Sequence, residues 1–356
     1  MRRTAALIVG GGPAGSAAAI ALAQGGLEPV LVERSAGERD VVCGGFLGWD
    51  ALAALRRLDV DAAALGARPI RQLRLVSGAR SVTRALPKPA AGLSRRRLDA
   101  ALLARAETAG AEVLRGRTAR ALEGGVVRLD DGEALACDAL FLATGKHELR
   151  GAQREFGDRE VSVGLRAPLP ASPALEAGLA ETIELHLFDG GYAGLLLQED
   201  GSANLCLSAA RARLTAAGSP AALVARLLEE APLLRERVEQ VPAQWEAIAG
   251  VAYGWRARET ERGLFRLGDQ AAVIASLAGD GIAIALNSGM EAAAALLSGR
   301  DAGAFQRAFA RRAAWPVGIA EALRHLAEHR RERPLMMGLA RLPGVARLAA
   351  RLTRIG

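Results

Sequence analysis

Six residues near the start of the chain, Gly10-Gly11-Gly12-Pro13-Ala14-Gly15, have the types and the G-x-G-x-x-G spacing of a phosphate-binding turn. The apolar run Ala5 to Val9 precedes them, and the small-residue stretch Ser16 to Gln24 follows. In such a turn Gly10 permits the sharp exit from a strand, and Gly12 lets the backbone approach a pyrophosphate. Gly15 and Ala19 let a helix pack close to the sheet. The free N–H groups and positive dipole end of that helix suit phosphate. A second apolar run, Pro29 to Val32, ends in Glu33, eighteen residues after Gly15, where a carboxylate can accept from a ribose hydroxyl. Strand, turn, helix, strand and terminal acid in this order predict a dinucleotide site. Met1-Arg2-Arg3 and Ala21-Leu22-Ala23 offer a rival reading as a secretory signal, but cleavage there would remove the turn and leave Glu33 without purpose.

Three further motifs extend the expectation to FAD. Arg95-Arg96-Arg97-Leu98-Asp99 opens a long helix in the pattern R-x-x-L-D, and Ala143-Thr144-Gly145 follows a strand, close to the adenine half. Gly263 to Asp269 precedes Ala278-Gly279-Asp280-Gly281-Ile282. A strand ending in Gly268-Asp269 can place a carboxylate on ribityl hydroxyls. The Gly279–Gly281 loop can aim a helix N-terminus at the pyrimidine edge of a flavin, where it would stabilise an anionic reduced ring.

On these residues the chain resembles the flavoprotein group that contains geranylgeranyl reductases and single-component aromatic hydroxylases of the p-hydroxybenzoate hydroxylase type. The resemblance covers nearly the whole chain and is most specific at residues 8–33, 95–99 and 263–282. It implies FAD held by Gly10, Gly12, Pro13, Ala14, Gly15, Glu33, Arg34, Arg95, Thr144, Gly145, Gly268, Asp269, Gly279, Gly281 and Ile282. Cys43-Gly44-Gly45 matches a Cys-Gly-Gly segment beside the flavin of the reductases, and Gly190-Gly191-Tyr192 the start of their substrate-strand motif. The reductases continue that motif with an aromatic residue and Phe-Pro, whereas this chain has Ala193-Gly194-Leu195-Leu196. Thr144 stands where the hydroxylases carry aspartate, and Ser276 where the group usually has proline. The Trp-x-Trp motif and catalytic lysine of flavin halogenases are not found.

The candidate catalytic residues are Cys43, His147 and Tyr192. Hydroxylation and double-bond reduction both stay open for a hydrophobic aromatic, quinone, polyketide-like or isoprenoid substrate. The electron donor is NAD(P)H or another reductant, since no separate NAD domain is visible. The alternative is a non-catalytic carrier of a lipidic ligand or prenylated partner on the same fold.

The elements that must position these residues follow from periodicity. Strand and helix patterns occupy both ends of the cofactor region, and short alternating runs at 161–166, 182–188, 194–198 and 203–209 are spaced like an antiparallel sheet. The expected fold is α/β: a Rossmann-type FAD domain over 1–155 and 250–300, an inserted antiparallel substrate domain over 156–249, and a basic helical region over 301–356. One helix is expected over Pro220 to Val238. The 356 residues suffice for a substantial core, and no apolar run suits a membrane span. Three scattered cysteines, Cys43, Cys137 and Cys206, fit a reducing cytoplasm.

The net charge of +7 lies wholly in residues 301–356, which hold eleven arginines against four acids. No aromatic–basic interleaving accompanies it, so nucleic acid is not an expected partner. Val345, Leu348, Leu352 and Ile355 line one side of a final helix, with Arg347, Arg351 and Arg354 opposite, a pattern for a docked helix or for peripheral contact with anionic lipid. His325-Leu326-Ala327-Glu328-His329 fits H-x-x-E-H but is expected to be a solvated helix face, with no metal site.

Overall fold

The computed structural model describes residues 2–157 and 159–355. β1 (Arg2–Val9) enters the protein exposed and ends with Ala6 to Val9 buried. Gly10 then turns with φ 105°, in the left-handed region that glycine tolerates. α1 (Pro13–Gln24) starts with proline in its first turn, where the missing N–H costs nothing. Its glycine and alanine face allows very close packing, and a Cβ on Gly15 would lie 1.9 Å from the Gly10 carbonyl oxygen. β2 (Val30–Glu33) pairs parallel with β1 and carries Glu33 to the level of the turn.

β3 (Phe46–Leu47), α2 (Trp49–Arg57), β4 (Arg68–Ser77) and β5 (Arg80–Gly92) come next. α3 (Arg95–Ala109) is capped by Ser94, whose Oγ accepts from the Arg97 amide at 3.2 Å, and closes on Gly110 at φ 108°. β6 (Glu112–Arg115), β7 (Ala119–Glu123), β8 (Val126–Leu129) and β9 (Ala134–Leu142) complete the first pass through the cofactor sheet.

β10 (Ser162–Leu169), α4 (Pro173–Leu179), β11 (Thr182–Phe188), β12 (Gly191–Leu197) and β13 (Ala203–Ala210) build the second sheet. α5 (Arg211–Ala217), α6 (Pro220–Glu230), α7 (Pro232–Arg235) and β14 (Glu246–Val251) follow, and β15 (Leu264–Arg266) returns to the first sheet beside β9. The chain ends in α8 (Gly281–Leu297), α9 (Ala302–Glu328), α10 (Arg333–Arg341) and α11 (Val345–Leu352). The helix expected over Pro220 to Val238 is divided, because Pro232 has no N–H to continue it.

The first sheet has the order β6-β2-β1-β9-β8-β7, with β1, β2, β6, β9 and β15 parallel. The second has the order β14-β10-β13-β12-β11-β4-β5-β3 and is antiparallel except where β11 meets β4. The second sheet therefore takes three of its strands from residues 46–92, inside the stretch expected to be cofactor domain. Those strands contain Arg84, Arg80 and Pro87 and alternate weakly, so local pattern does not separate them from the cofactor fold. α1 and α8 cover one face of the first sheet, where Phe141 and Phe265 stack at 4.8 Å. The second sheet is covered on one face by α4 and α6 and on the other by residues of α9 and α10.

Candidate functional site

One cavity of about 1310 Å³ runs between the two sheets. Gly10 to Ala14, Glu33, Arg34, Arg95 and Thr144 to His147 line one end. Gly268, Asp269, Gly279, Gly281 and Ile282 line its middle wall, from the loops on either side of Ser276. The far end is apolar: Leu73 and Leu75 of β4, Leu86 of β5, Ile183 and Leu185 of β11, and Leu326, Met336, Leu339, Val345 and Ala349 of the last helices. The basic helical region 301–356 thus contributes residues of its last helices to the cavity wall.

The nucleotide end fits FAD. A Cβ on Gly12 would meet only the Arg95 guanidinium, at 3.3 Å, so the turn faces open space with a cation beside it. Arg95 is fixed by two bonds to Asp99, at 2.8 and 2.7 Å, which explains the i, i+4 spacing of R-x-x-L-D. Burial opposes the Arg95 charge, but Asp99 and the Cys43 thiol outweigh it and raise its pKa. Glu33 accepts from the Gly11 amide at 2.7 Å and from the Ser35 amide at 2.8 Å, so its carboxylate ties β2 to the turn at the ribose position. Thr144 donates its hydroxyl to the His147 carbonyl at 2.7 Å, closing the β9 loop.

Asp269 forms an ion pair with Lys146 at 2.9 Å. Burial pushes the carboxyl up, and Lys146 more than offsets this, leaving it below its ordinary value; the same pairing holds the ammonium charged. Arg154 donates to the Asp269 carbonyl at 2.8 Å, and Gln270 donates to the carbonyls of Gly145 and His147 at 2.9 and 3.0 Å. Lys146, Arg154 and Gln270 escaped the sequence analysis. Only Lys146 left a signal, as one of two lysines in the chain and directly after Thr144-Gly145.

All three candidate catalytic residues line this cavity. His147, read from the sequence as an acid or base near the flavin or else as a surface histidine, has its Nε2 2.9 Å from Arg34. Burial and the Arg34 charge lower its pKa, which keeps the imidazole neutral. Cys43 lies on the cavity wall, with its Sγ accepting from the Gly45 amide at 3.5 Å. Tyr192, at the centre of the second sheet, is 4 % exposed, and its hydroxyl has no hydrogen-bond partner among the described residues. Burial raises its pKa well above the ordinary phenol value. Nearby on the same wall, the Tyr253 hydroxyl donates to Ser208 at 3.1 Å and lies 3.0 Å from the Ser276 hydroxyl. A small group of hydroxyls thus breaks an otherwise apolar surface. Ser276, where proline is usual, is a member of it.

The final helix is oriented differently from expectation. Val345 lines the cavity and Ile355 is buried, whereas Leu348 and Leu352 are exposed. Arg354 is turned inward, onto Asp280 at 3.0 Å. His325, His329 and Glu332 bring ligand atoms within 4.8 Å of one another, at the exposed end of α9 and outside the cavity.

Residues 3–148 match the FAD binding domain family. The chain is 39% identical to the chloroplastic geranylgeranyl diphosphate reductase of Oryza sativa subsp. japonica over 120 residues, which span 32% of this chain and 25% of that protein. It is 28% identical to the menaquinone reductase of Mycolicibacterium smegmatis over 317 residues, covering 80% of this chain and 74% of that one. Among solved structures, a flavin-dependent brominase superposes with a TM-score of 0.79 at 15% identity, over 99% of this chain and 93% of that chain. Residues 3–148 are thus an FAD binding domain of the kind found in FAD-dependent oxidoreductases, and the chain as a whole shares the fold of that brominase.

Proposed function

We propose that this protein is an FAD-dependent oxidoreductase whose substrate is a large apolar molecule carrying an oxygen function: a quinone, aromatic, polyketide-like or isoprenoid compound. The observation that carries this reading is the continuity of a single cavity, from the Gly10–Gly15 turn to the chamber under α10 and α11. Its volume of about 1310 Å³ exceeds a typical small-molecule pocket, roughly 300–1,000 Å³, and leaves room for a substrate beside a dinucleotide. The names of the rice and mycolicibacterial relatives also support an apolar substrate.

The flavin would supply the redox chemistry at its N5–C4a edge. The turn, Glu33, Arg95 and Asp269 would hold it. Leu75, Leu185, Met336 and Leu339 exclude water from the chamber. Tyr192 keeps its phenolic proton because the anion would be buried, so it can donate a hydrogen bond to a substrate oxygen. NAD(P)H or another reductant would supply the electrons. The exposed leucines and arginines of α10 and α11 suit delivery of the substrate from an anionic lipid surface.

The test is spectroscopic. The purified protein is expected to show a bound-flavin spectrum that bleaches with NADH, NADPH or dithionite under nitrogen and returns on addition of an alkylated naphthoquinone. A folded, colourless protein that takes up no FAD would sink the proposal. Reduced flavin that recovers with oxygen and a phenolic substrate, and not with quinone, would select hydroxylation.

A further inference from the structure

Asp280 occupies the N-cap position of α8, yet its carboxylate makes no bond to the first turn of that helix among the described residues. An aspartate there ordinarily turns back to cap its own amides. Asp280 is instead fully buried and spent elsewhere. Its Oδ1 accepts from Arg354 at 3.0 Å, and its Oδ2 accepts from the Ile355 amide at 3.0 Å. Arg354 also donates to the Gly279 carbonyl at 3.0 Å. Its guanidinium stacks 4.3 Å from the centre of the Trp49 ring, and a Cβ on Gly48 would lie 2.8 Å from it. Gly279, at φ 69°, rests against Phe46, whose ring a Cβ would meet at 2.8 Å. One guanidinium therefore wedges between the segment that follows Cys43-Gly44-Gly45 and the loop that opens α8.

We infer that Arg354 is a positioning residue for the flavin-facing loop Gly279–Gly281, and that it couples closure of the α11 roof to cofactor binding. The inference rests on the assignment of this cavity to FAD. Two consequences follow from the geometry. First, Arg354 draws the Asp280 charge away from the α8 N-terminus, leaving the amides of the first turn and the positive dipole end to the flavin pyrimidine edge. Asp50 of α2 is the other acid facing this guanidinium, and one of its oxygens is buried without a partner among the described residues. Second, the residues that roof the cavity from α11 and its C-cap, namely Ala346, Ala349, Ala350 and Thr353, are pinned by the same contacts. A coupling of this kind is reciprocal: if the roof stabilises the loop that receives FAD, FAD stabilises the roof.

The experiment is hydrogen exchange of the full chain with and without FAD, paired with FAD affinity and flavin midpoint potential. In the wild type, FAD is expected to slow exchange of the amides of residues 345–355. Arg354→Gln should weaken FAD binding by about tenfold, a usual size for coupling between linked sites. It should also abolish the FAD-dependent protection of 345–355. The midpoint potential should fall, because the Gly279–Gly281 loop, no longer held by the Arg354 contacts, gives up the amides and positive dipole end that stabilise the reduced anionic flavin. Arg354→Lys, which keeps the charge, should restore most of the potential and part of the affinity, and it replaces the first variant if Arg354→Gln fails to fold by circular dichroism. FAD that binds the wild type without changing exchange in 345–355 overturns the coupling alone. A folded Arg354→Gln variant with wild-type affinity and potential overturns the positioning role of Arg354 itself. A wild type that binds no FAD overturns this inference together with the proposed function.

Discussion

Asn204 donates its side-chain amide to the backbone carbonyl of Cys43 at 2.9 Å, so a strand of the second sheet holds the Cys-Gly-Gly segment of the cofactor wall. Arg166 supports Asn204 from β10, donating to its Oδ1 at 2.9 Å and to Asp40 at 2.9 Å on the other side. The two sheets thus share one polar joint under the proposed flavin position. Arg166→Leu would leave Asp40 partly buried without its cation. The expected loss of stability is about 2–3 kcal/mol, below the 3–5 kcal/mol of a fully buried pair because Asp40 keeps some solvent. Urea unfolding measures it, and a loss under 0.5 kcal/mol would show the joint to be dispensable.

Cys43 is expected to act near the flavin without being an essential nucleophile. Cys43→Ser should change rate or product distribution more than FAD content, because the Asn204 bond reaches the backbone and survives the substitution. Complete loss of flavin from a folded Cys43→Ser protein would assign the thiol a structural role.

The phosphate turn gives the sharpest binding prediction. Gly12→Asp adds a side chain and a negative charge where the pyrophosphate must approach, at a cost of several kcal/mol through exclusion and repulsion. Arg95 lies 3.3 Å from the new Cβ, and a competing ion pair with it would worsen the loss. Absorbance at the flavin band should vanish from the folded variant. A Gly12→Asp protein that stays fully yellow would move the site elsewhere.

Much of this site is written in short segments that one element positions by itself. Gly10 to Gly15 with Glu33, Arg95 with Asp99, and Gly268-Asp269 each need only a strand end or one helix turn, so spacing alone reveals them. Lys146, Arg166 and Asn204 act across 123, 126 and 161 residues of sequence separation, and nothing local marks them. The surroundings of His147 were hidden for a related reason. Its distance along the chain from Thr144 indicates the β9 loop, but the direction of that loop is set by Gln270 and Arg154, which bond it from the far side. The roof is the largest difference. Periodicity shows that α11 is two-sided, but only its neighbours decide that alanines and Val345 turn inward while Leu348 and Leu352 stay outside.

Glu184 sets an acid limit to stability. It is 1 % exposed on β11 and is held by Arg74, Arg237 at 3.1 Å and His186 at 2.9 Å. Burial pushes its carboxyl up, but the bonds from His186 and Arg237 prevail and bring it down to about 2. A depressed carboxyl contributes stability that is complete above its ordinary value of 4.5 and is lost as pH falls towards 2. The contribution at neutral pH is about 3 kcal/mol. Glu184→Gln should therefore be destabilised at pH 7 and should lose less than the wild type on going from pH 5 to pH 3. Parallel pH–stability curves for the two proteins would show that the cluster adds nothing.

The outer face of the roof predicts contact with anionic lipid. Leu335, Leu342 and Leu348 are 57, 51 and 55 % exposed, and Arg341, Arg347 and Arg351 are exposed beside them. Leu339 is both exposed and part of the cavity wall, so this face adjoins the apolar chamber. No helix among the described residues is long and apolar enough to cross a membrane, so contact through these helices would be peripheral. Vesicles with anionic lipid should bind the protein at low salt and release it as salt screens the arginines, each worth roughly 1 kcal/mol near such a surface. Deleting residues 343–355 is the wrong test, because it also removes the Arg354 and Ile355 contacts to Asp280. Leu342→Glu with Leu348→Glu changes only the outer face and should reduce vesicle binding at least tenfold, since two desolvated leucines are lost and two repelled charges are added. FAD content should not change in that variant. Full-length protein that ignores anionic vesicles at low salt would leave the roof as a packed lid, and the substrate would then have to enter the chamber from solution.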